Sequence, residues 1–417
     1  MFQNVGSKAF IPTMDNIVGL TSILNNPQDK YPMIHIAGTN GKGSSSHILA
    51  SILQEAGYKV GLYTSPHLID YRERVRINGN LIEKNIVEDF MDIIEEYRTT
   101  NKVSFFEITT ALAFYAFEQK KVDIAIIETG LGGRYDSTNI INPLLSVITN
   151  ISFDHKAILG NSLEEIAFQK GGIIKKETPI VIGEHNESCD KVFEKIAKEL
   201  DSELVYGENL FHVEQKKEGY IISGKYNLNI ETSDIQGGYQ YKNISTALSA
   251  LEYIKKSFDI NEQHIIKGIS RCCENTGLRG RWQIIEREPL IICDAGHNEG
   301  GIAYLKGEIK NTPHEKLYIV MGVMADKDVE HILKLMPKDA YYFFCQTGSE
   351  RAMKSEILYK RALAIGLNGE FVDNYDKSSV FLGVTKAKKV ASSKDMIFLG
   401  GSCFVVADLL ANIKNNI

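Results

Sequence analysis

Short, uninterrupted apolar runs alternate with amphipathic segments along the first half of the chain, and this alternation limits the possible folds more than any other feature. The runs predict strands at residues 33–37, 60–63, 123–128, 144–149 and 180–182. The segments between them have helical periodicity and predict helices at 44–56, 83–97, 107–119 and 163–170. Strands without polar alternation are typical of parallel sheets that helices cover on both faces. The pattern therefore predicts an α/β fold with a mostly parallel sheet.

The second half of the chain repeats this alternation after an interruption. Residues 202–231 contain short alternating runs and turns, which predict a small antiparallel insertion, and 238–256 and 261–272 are predicted helices. A polar, glycine-containing stretch at 274–281 then suits a linker. Beyond it we expect strands at 290–294, 317–322, 340–345 and 396–400 and helices at 301–310, 329–335, 355–364, 378–388 and 404–413. We therefore predict two domains, residues 1–278 and residues 279–417, the second a Rossmann-like α/β domain.

Composition excludes several classes of protein. Of the 417 residues, 43% are apolar and 24% charged, as in ordinary globular proteins. The net charge of −6 argues against a nucleic-acid or membrane-surface binder, because both need a basic face. No apolar run reaches the roughly 18 residues of a membrane span, and the N-terminus lacks a signal-peptide core. Six scattered cysteines without a CxxC pair favour free thiols and a cytoplasmic location.

The sharpest local signal is the sequence IHIAGTNGKGSS at residues 34–45. An apolar strand leads into a turn with three glycines, and a helix follows. Glycines let backbone N–H groups converge on an anion, and the N-terminus of a helix adds partial positive charge. Lys42 could reach phosphate groups, and Ser44 or Ser45 could face a metal ion. The spacing departs from the strict Walker A pattern, so a tight turn without a ligand is the alternative, but the combination favours a P-loop-type ATPase domain.

Acidic side chains close two of the predicted strands. Glu128 ends the run at 123–128 and Asp294 ends the run at 290–294. In open α/β sheets, binding sites gather at the carboxyl ends of the strands. Mg²⁺ prefers oxygen ligands and is usually bound by one or two carboxylates together with substrate phosphates, so Glu128 is a candidate ligand. The alternative is that Glu128 is a charged residue that ends a strand at the solvent. His155 follows the next strand, and a lone histidine there could equally be a packed or capping residue.

Several segments together resemble the folylpolyglutamate synthase/dihydrofolate synthase family of Mur-type ATP-dependent amide ligases. The main ones are GTNGKGS at 38–44, TSPHL at 64–68 and ETGLGGRYDSTN at 128–139. The resemblance continues through 104–107, 154–155, 163–175, 240–243, 280–281, 294–298 and 326–328, in order and at family-like spacing. It begins at Phe2–Gly6, where family members usually have an additional preceding helix, so we expect that the start is truncated or that this helix is dispensable.

The resemblance implies a set of site residues. It implies that ATP is bound by Gly38, Thr39, Asn40, Gly41, Lys42, Gly43, Ser44, Asn243, Arg281, Asp294 and His297. It implies Mg²⁺ ligation by Ser65, Glu128 and His155, catalytic roles for Lys42, Lys170, Arg281 and His297, carbamylation of Lys170 by CO₂, and room for a monovalent cation. The pterin pocket would contain Ser104, Phe105, Phe106, Glu107, Tyr135, Asp136 and Ser137. The two phenylalanines could stack a flat bicyclic ring, or they could be ordinary core residues.

The implied reaction joins L-glutamate to the carboxylate of dihydropteroate or a reduced folate through an acyl phosphate. The expected partners are these small molecules and ATP, with the protein a monomer that binds neither nucleic acid nor membrane. A cell-wall Mur ligase is an alternative, although Gly43 between Lys42 and Ser44 and the segment 104–107 argue against it. A non-catalytic nucleotide-binding regulator is another, and it would not need Glu128, His155 and Lys170 together. The balance between dihydrofolate synthase and folylpolyglutamate synthase activity stays open.

Overall fold

The structure, a computed structural model, describes residues 13–373 and 378–414. The segment Phe2–Gly6 therefore lies outside the described residues. The chain divides into two compact units. The first contains the described residues up to His67 together with Tyr71–Ile235 and Tyr239–Leu278, and the second contains Leu68–Asp70, Gln236–Gly238 and the described residues from Arg279 onward. No helix among the described residues is long and apolar enough to span a bilayer.

The first unit is built on an eight-stranded sheet with the order β4-β3-β2-β5-β1-β6-β7-β8. Its strands are β1 (Met33–Ala37), β2 (Val60–Tyr63), β3 (Val75–Ile77), β4 (Asn80–Leu81), β5 (Ile124–Glu128), β6 (Leu145–Ile148), β7 (Ile180–Ile182) and β8 (Leu204–Tyr206). A separate antiparallel sheet contains β9 (Phe211–Gln215), β10 (Tyr220–Gly224) and β11 (Leu228–Ile230). All five strands predicted in the first half are present.

Helices cover both faces of the large sheet. They are α1 (Asp15–Ile23), α2 (Lys42–Glu55), α3 (Lys84–Thr100), α4 (Phe105–Gln119), α5 (Lys156–Leu159), α6 (Leu163–Lys170), α7 (Glu187–Glu199), α8 (Gln240–Ile254), α9 (Glu262–Ser270) and α10 (Cys272–Thr276). Ile34 and Ile36 of the central strand pack with α2, α8 and α9. Met33 packs with α1, α3 and α4, and Ala37 with α6 and α7, on the other face. Because both faces are buried, successive residues of these strands are mostly apolar.

The second unit is a six-stranded sheet with helices. Its strands are β12 (Gln283–Arg287), β13 (Leu290–Cys293), β14 (Leu317–Met321), β15 (Tyr341–Phe344), β16 (Asn368–Phe371) and β17 (Met396–Gly400), in the order β12-β13-β17-β14-β15-β16. Its helices are α11 (Glu299–Asn311), α12 (Val329–Leu335), α13 (Ser355–Ala364), α14 (Val380–Val390) and α15 (Cys403–Lys414). The predicted fold class is confirmed, with predicted strands and helices present in both units.

One detail of the prediction needs correction. The segment 202–231 is only partly an antiparallel insertion, because β8 pairs in parallel with β7 and extends the large sheet. The large sheet of the first unit is mostly parallel, as predicted: β3 runs antiparallel to β2 and to β4, and in the second unit β12 runs antiparallel to β13. In each of these antiparallel pairs the connection is too short for the helical crossover that parallel neighbours require.

One buried histidine lies on the central strand of the first unit. His35 is fully buried on β1, and its Nε2 lies 2.8 Å from the Thr138 hydroxyl oxygen. The Thr138 hydroxyl donates to Asp136 at 2.5 Å, so it accepts from Nε2–H of the neutral imidazole. Burial, with a smaller contribution from Lys175, lowers the pKa of His35 to about 3.

This histidine should make the stability depend on pH. Between an unfolded pKa of about 6.5 and the folded pKa of about 3, the unfolded chain binds one more proton, so stability falls as the pH falls. From about pH 7.5 to about pH 5 wild type should lose about 2 kcal/mol more unfolding free energy than His35→Gln, measured by urea unfolding. The exposed His212→Gln variant should keep the wild-type slope. Identical slopes in all three proteins would contradict a neutral buried His35.

Candidate active site

The predicted phosphate loop lies between β1 and α2 and is shaped for an anion. Gly41 is the N-cap of α2 with φ 83°, a left-handed conformation that favours glycine. A Cβ on Gly41 would lie 2.1 Å from Asn243 Oδ1, so no other residue fits without a shift. Because glycine offers no capping side chain, the first N–H groups of α2 have neither a side-chain cap nor an intrahelical partner. These groups and the helix dipole attract negative charge.

Two lysine ammonium groups meet at one carbonyl oxygen of this loop. Lys42 Nζ donates to Gly38 O at 3.1 Å and to Thr39 O at 3.2 Å. Lys170 Nζ, at the end of α6, donates to Gly38 O at 2.7 Å. Lys170 is buried, and burial together with the charge of Lys42 lowers its pKa to about 7. The loop is therefore an electropositive place that a phosphate would neutralise.

Glu128 lies directly beside the start of α2. It ends β5, which pairs in parallel with β1 so that Glu128 is opposite Ile36. Its Oε2 accepts from the backbone N–H of Ser65 at 3.1 Å, and a Cβ on Gly43 would lie 3.6 Å from the same oxygen. The structure thus brings together the phosphate loop, Glu128 and Ser65 at the carboxyl edge of the sheet.

The residues at this edge fit a magnesium ion that also binds phosphate. Within residues 13–373 and 378–414, no three His, Cys, Asp or Glu side chains are grouped closely enough to hold a metal by themselves. Mg²⁺ usually takes only one or two carboxylates and completes its shell with waters and substrate phosphates, so one buried carboxylate beside a phosphate loop suits it. His155 lies at the start of α5 with φ 49°, and its backbone N–H bonds Asp154 at 2.8 Å. Its role as a ligand stays a prediction.

Two carboxylates in the predicted pterin segments stabilise local structure. Ser104 and Glu107 form a capping box at the start of α4: the Ser104 side chain accepts from the Glu107 N–H, and Glu107 accepts from the Ser104 N–H at 2.6 Å. Asp136 is buried and accepts from the N–H groups of Gly130, Leu131 and Thr138 and from the Thr138 hydroxyl. These bonds hold the glycine-rich segment that follows Glu128.

The aromatic residues of these segments lie close to that glycine-rich segment. Phe106 packs against Gly130, where a Cβ would lie 2.4 Å from its ring, and its ring centre is 6.1 Å from that of Tyr63. Phe105 is half-buried, with the Arg74 guanidinium 5.3 Å from its ring centre. Tyr135 is exposed and Ser137 half-buried. Phe106 is therefore partly a core residue, whereas Phe105 and Tyr135 retain accessible surface for a ligand.

Asn243, predicted to bind adenine, lies on α8 beside the phosphate loop. It is buried, and its amide nitrogen donates to Gln240 Oε1 at 2.7 Å. Its Oδ1 faces Gly41, and its backbone oxygen accepts a 3.4 Å bond from the Ser45 hydroxyl. In this structure Asn243 buttresses the loop, and contact with adenine stays a prediction.

The three predicted residues of the second unit cluster at the carboxyl end of β13. Asp294 is buried and accepts from the N–H groups of Trp282 at 2.6 Å and Gly296 at 2.7 Å. His297 Nδ1 lies 3.0 Å from Ala295 O, and Arg281 donates to Gly280 O at 3.1 Å. Asp294 therefore fixes the turns that carry Arg281 and His297. That these three residues bind ATP stays a prediction.

The chain matches the Mur ligase middle domain over residues 36–251 and the glutamate ligase domain of Mur ligases over residues 280–403. It is 32% identical to the dihydrofolate synthase/folylpolyglutamate synthase of Bacillus subtilis, over 97% of this chain and 95% of that protein. The chain belongs to the dihydrofolate synthase/folylpolyglutamate synthase family. This confirms the predicted family and, with it, the activity class of an ATP-dependent glutamate ligase.

Solved structures of this family share the fold. E. coli FolC in complex with DHPP and ADP superposes with a TM-score of 0.88 at 29% identity, covering 100% of this chain and 96% of that chain. A bifunctional folylpolyglutamate synthase/dihydrofolate synthase with Mn, AMPPNP and L-glutamate bound superposes with a TM-score of 0.83 at 28% identity. The match covers 96% of this chain and 94% of that chain.

A further relative is a longer protein. The probable bifunctional folylpolyglutamate synthase/dihydropteroate synthase of Haloferax volcanii is 30% identical over 95% of this chain. This chain spans about half of that relative's length, 48%.

Sequence analysis missed Asn150, one of the residues that anchor the phosphate loop, with Thr149 and Ser152. Asn150 follows β6, and its Oδ1 accepts from the Asn40 N–H at 3.0 Å while its backbone oxygen accepts from the Thr39 N–H at 2.9 Å. The available signal was its position at the carboxyl end of a buried strand next to β1.

Proposed function

We propose that this protein binds ATP at the phosphate loop and uses it to join L-glutamate to the carboxylate of dihydropteroate or a reduced folate. The observation that carries the proposal is the convergence at the end of β1 of an uncapped helix N-terminus, the ammonium groups of Lys42 and Lys170, and the Glu128 carboxylate. Relatives with bound ADP, AMPPNP, Mn, DHPP and L-glutamate support the same ligands here. Dependence on ATP fits a cytoplasmic enzyme.

The reaction would proceed in two steps. The acceptor carboxylate attacks the γ-phosphorus of ATP, which gives an acyl phosphate and ADP. The amine of glutamate then attacks the acyl carbon, and the tetrahedral intermediate expels inorganic phosphate and loses a proton. Phosphoryl transfer depends mainly on positioning and charge neutralisation, so the chain needs no nucleophilic side chain. The Lys42 ammonium and the first N–H groups of α2 would hold the transferred phosphoryl group.

Glu128, with Ser65 and His155, would hold Mg²⁺, which when bound neutralises phosphate charge and polarises the γ-phosphate. Phe105, Phe106 and Tyr135 would contact the pterin, with Asp136 and Glu107 holding the segments that present them. Asn243 would contact the nucleotide beside the loop. ATP would also be bound by Arg281, Asp294 and His297. We expect the protein to act as a monomer.

Lys170 would be carbamylated. With a pKa of about 7, a large fraction of its amine is neutral at neutral pH, and only the neutral amine attacks CO₂. The nitrogen–carbon bond forms, the nitrogen releases one proton, and the neutral amine becomes a carboxylate-like anion. That anion would pair with the neighbouring Lys42 ammonium and would no longer repel Mg²⁺.

A phosphate-release assay tests the proposed activity. Wild type should release phosphate from ATP only when glutamate and either dihydropteroate or tetrahydrofolate are present. Lys42→Ala should lower kcat/KM by about 10²- to 10³-fold, because an electrostatic contact to the transferred group is lost. Lys30→Ala, which removes a surface ion pair with Glu118 in the same unit, is the matched control and should keep wild-type turnover. No turnover with any acceptor would favour a regulator, and turnover only with a nucleotide-sugar acid would favour a cell-wall ligase.

Carbamylation has a spectroscopic test. Protein equilibrated with ¹³C-bicarbonate should show a carbamate carbon resonance that grows as the pH rises through about 7, since the neutral amine fraction grows there. The resonance should be missing in Lys170→Met. It should persist in Lys175→Met, which removes another lysine whose pKa burial lowers. A signal that survives in Lys170→Met would show that a different amine reacts.

A further inference from the structure

A chain of polar contacts runs from α8 to the phosphate loop through the carboxyl ends of β7 and β6. Lys242 Nζ donates to Glu184 Oε2 at 2.5 Å, and Asn150 Nδ2 donates to Glu184 Oε1 at 3.1 Å. Asn150 Nδ2 also donates to Asn40 O at 3.1 Å, while Asn150 Oδ1 accepts from Asn40 N at 3.0 Å. The Asn150 carboxamide thus bonds both the N–H and the C=O of one phosphate-loop residue, and the Thr149 hydroxyl donates to the same C=O at 2.6 Å.

The orientation of that carboxamide decides whether this pairing works. An asparagine side chain presents an acceptor on one side and two donors on the other. In the observed orientation both donors are used, one on Asn40 O and one on Glu184. If the amide were reversed, NH₂ would face the Asn40 N–H and the amide oxygen would face the Asn40 carbonyl, so both loop contacts would become repulsive.

Glu184 is the group that selects the working orientation. A carboxylate only accepts hydrogen bonds, so the atom of Asn150 that faces it must be the NH₂ group. Lys242 holds the Glu184 side chain in place: the two side chains are about one-fifth exposed, so their attraction is only partly screened by solvent. Glu184 accepts hydrogen bonds from Asn150 and Lys242, so its influence on the start of α2 passes through Asn150 and Asn40.

We propose that Glu184 is a positioning residue for the nucleotide, which fixes the Asn150 carboxamide and thereby the backbone of the phosphate loop at Asn40. The following N–H groups, from Gly41 onward, are then preorganised for the phosphates. This inference rests on the proposed nucleotide site and adds to it a residue that lies outside the phosphate-loop and metal motifs.

Binding of Mg·ADP, measured by isothermal titration calorimetry, tests the proposal. Glu184→Ala should weaken binding by about 10- to 100-fold, because a hydrogen bond to a charged group is lost and the loop must be ordered by the ligand. The Mg·ADP affinity of Glu184→Gln should lie between those of wild type and Glu184→Ala, since its amide oxygen still accepts from Asn150. The control is Glu252→Ala, which removes an ion-paired carboxylate of α8 remote from the loop and should bind within about twofold of wild type.

A compensating pair separates positioning from general stability. Asn150→Asp places a carboxylate oxygen against Glu184 and against Asn40 O, and should bind Mg·ADP more weakly than Glu184→Ala. Adding Glu184→Gln to Asn150→Asp supplies an amide donor to the new carboxylate and should recover at least several-fold of the lost affinity. In turnover, Glu184→Ala should raise KM for ATP with little loss of kcat, whereas partial unfolding would lower kcat at constant KM.

The outcomes are distinct. Wild-type protein that fails to bind Mg·ADP would overturn the proposed function and this inference with it. Wild-type binding together with a Glu184→Ala affinity equal to that of Glu252→Ala would overturn the inference alone. So would a double variant no better than Asn150→Asp. If the melting temperature of Glu184→Ala is well below that of wild type, the inference is judged on the Mg·ADP affinity of Glu184→Gln and on the recovery of affinity in the double variant.

Discussion

The arrangement of the site depends on one concentration of positive charge, the two ammonium groups at the carbonyl oxygen of Gly38. Burial of Lys170, and after it the repulsion from the nearby Lys42 charge, lowers the pKa of Lys170 to about 7. The uncapped N-terminus of α2 adds to the same potential. In the proposed enzyme, carbamylation would replace the Lys170 ammonium by an anion, and the polyphosphate of a nucleotide would neutralise the remaining positive charge of Lys42 and of the N-terminus of α2. Glu128 contributes the carboxylate that a divalent counter-ion needs.

Around this cluster, most of the acidic residues shape the backbone. Asp136 holds the segment after β5, Glu107 caps α4, Asp294 holds two turns of the second unit, and Glu184 orients Asn150. Each is buried or partly buried and accepts hydrogen bonds from backbone or amide donors. A carboxylate used in this way has little capacity left for a ligand. The glycine-rich segments of the site are thus held by side chains that sequence motifs would equally assign to direct contact with substrate.

Much of the fold was predictable because its signals are local. Mostly apolar runs predicted β1, β2, β5, β6 and β7, and the turn with three glycines predicted the phosphate loop. The short β3 and β4 contain polar residues and β8 lies in a segment predicted to be an antiparallel insertion, so these strands were not predicted, and neither were α1 and α7. The fold class and the motif residues at strand ends were therefore accessible, and Glu128 was placed correctly beside the loop.

The rest of the site depends on contacts between distant parts of the chain. Glu184 is 34 residues from Asn150 and 58 from Lys242, so no local pattern marks it. Likewise, the use of Asp136 by four donors appears only when the segment 130–138 folds back on itself. Contacts between residues that are distant in the sequence decide which carboxylate can bind a ligand and which one binds the backbone.

The central claim is that a nucleotide and a divalent ion share the edge of the sheet at β1 and β5. Calorimetric titration of ADP with and without Mg²⁺ tests it most directly, with Glu128→Gln compared with wild type and with the exposed Glu83→Gln as control. Wild type and Glu83→Gln should bind ADP at least about tenfold more tightly with Mg²⁺ present, and Glu128→Gln should lose that enhancement. The account would be contradicted if Mg²⁺ did not change the ADP affinity of wild type, or if Mg²⁺ strengthened ADP binding by Glu128→Gln as much as by wild type.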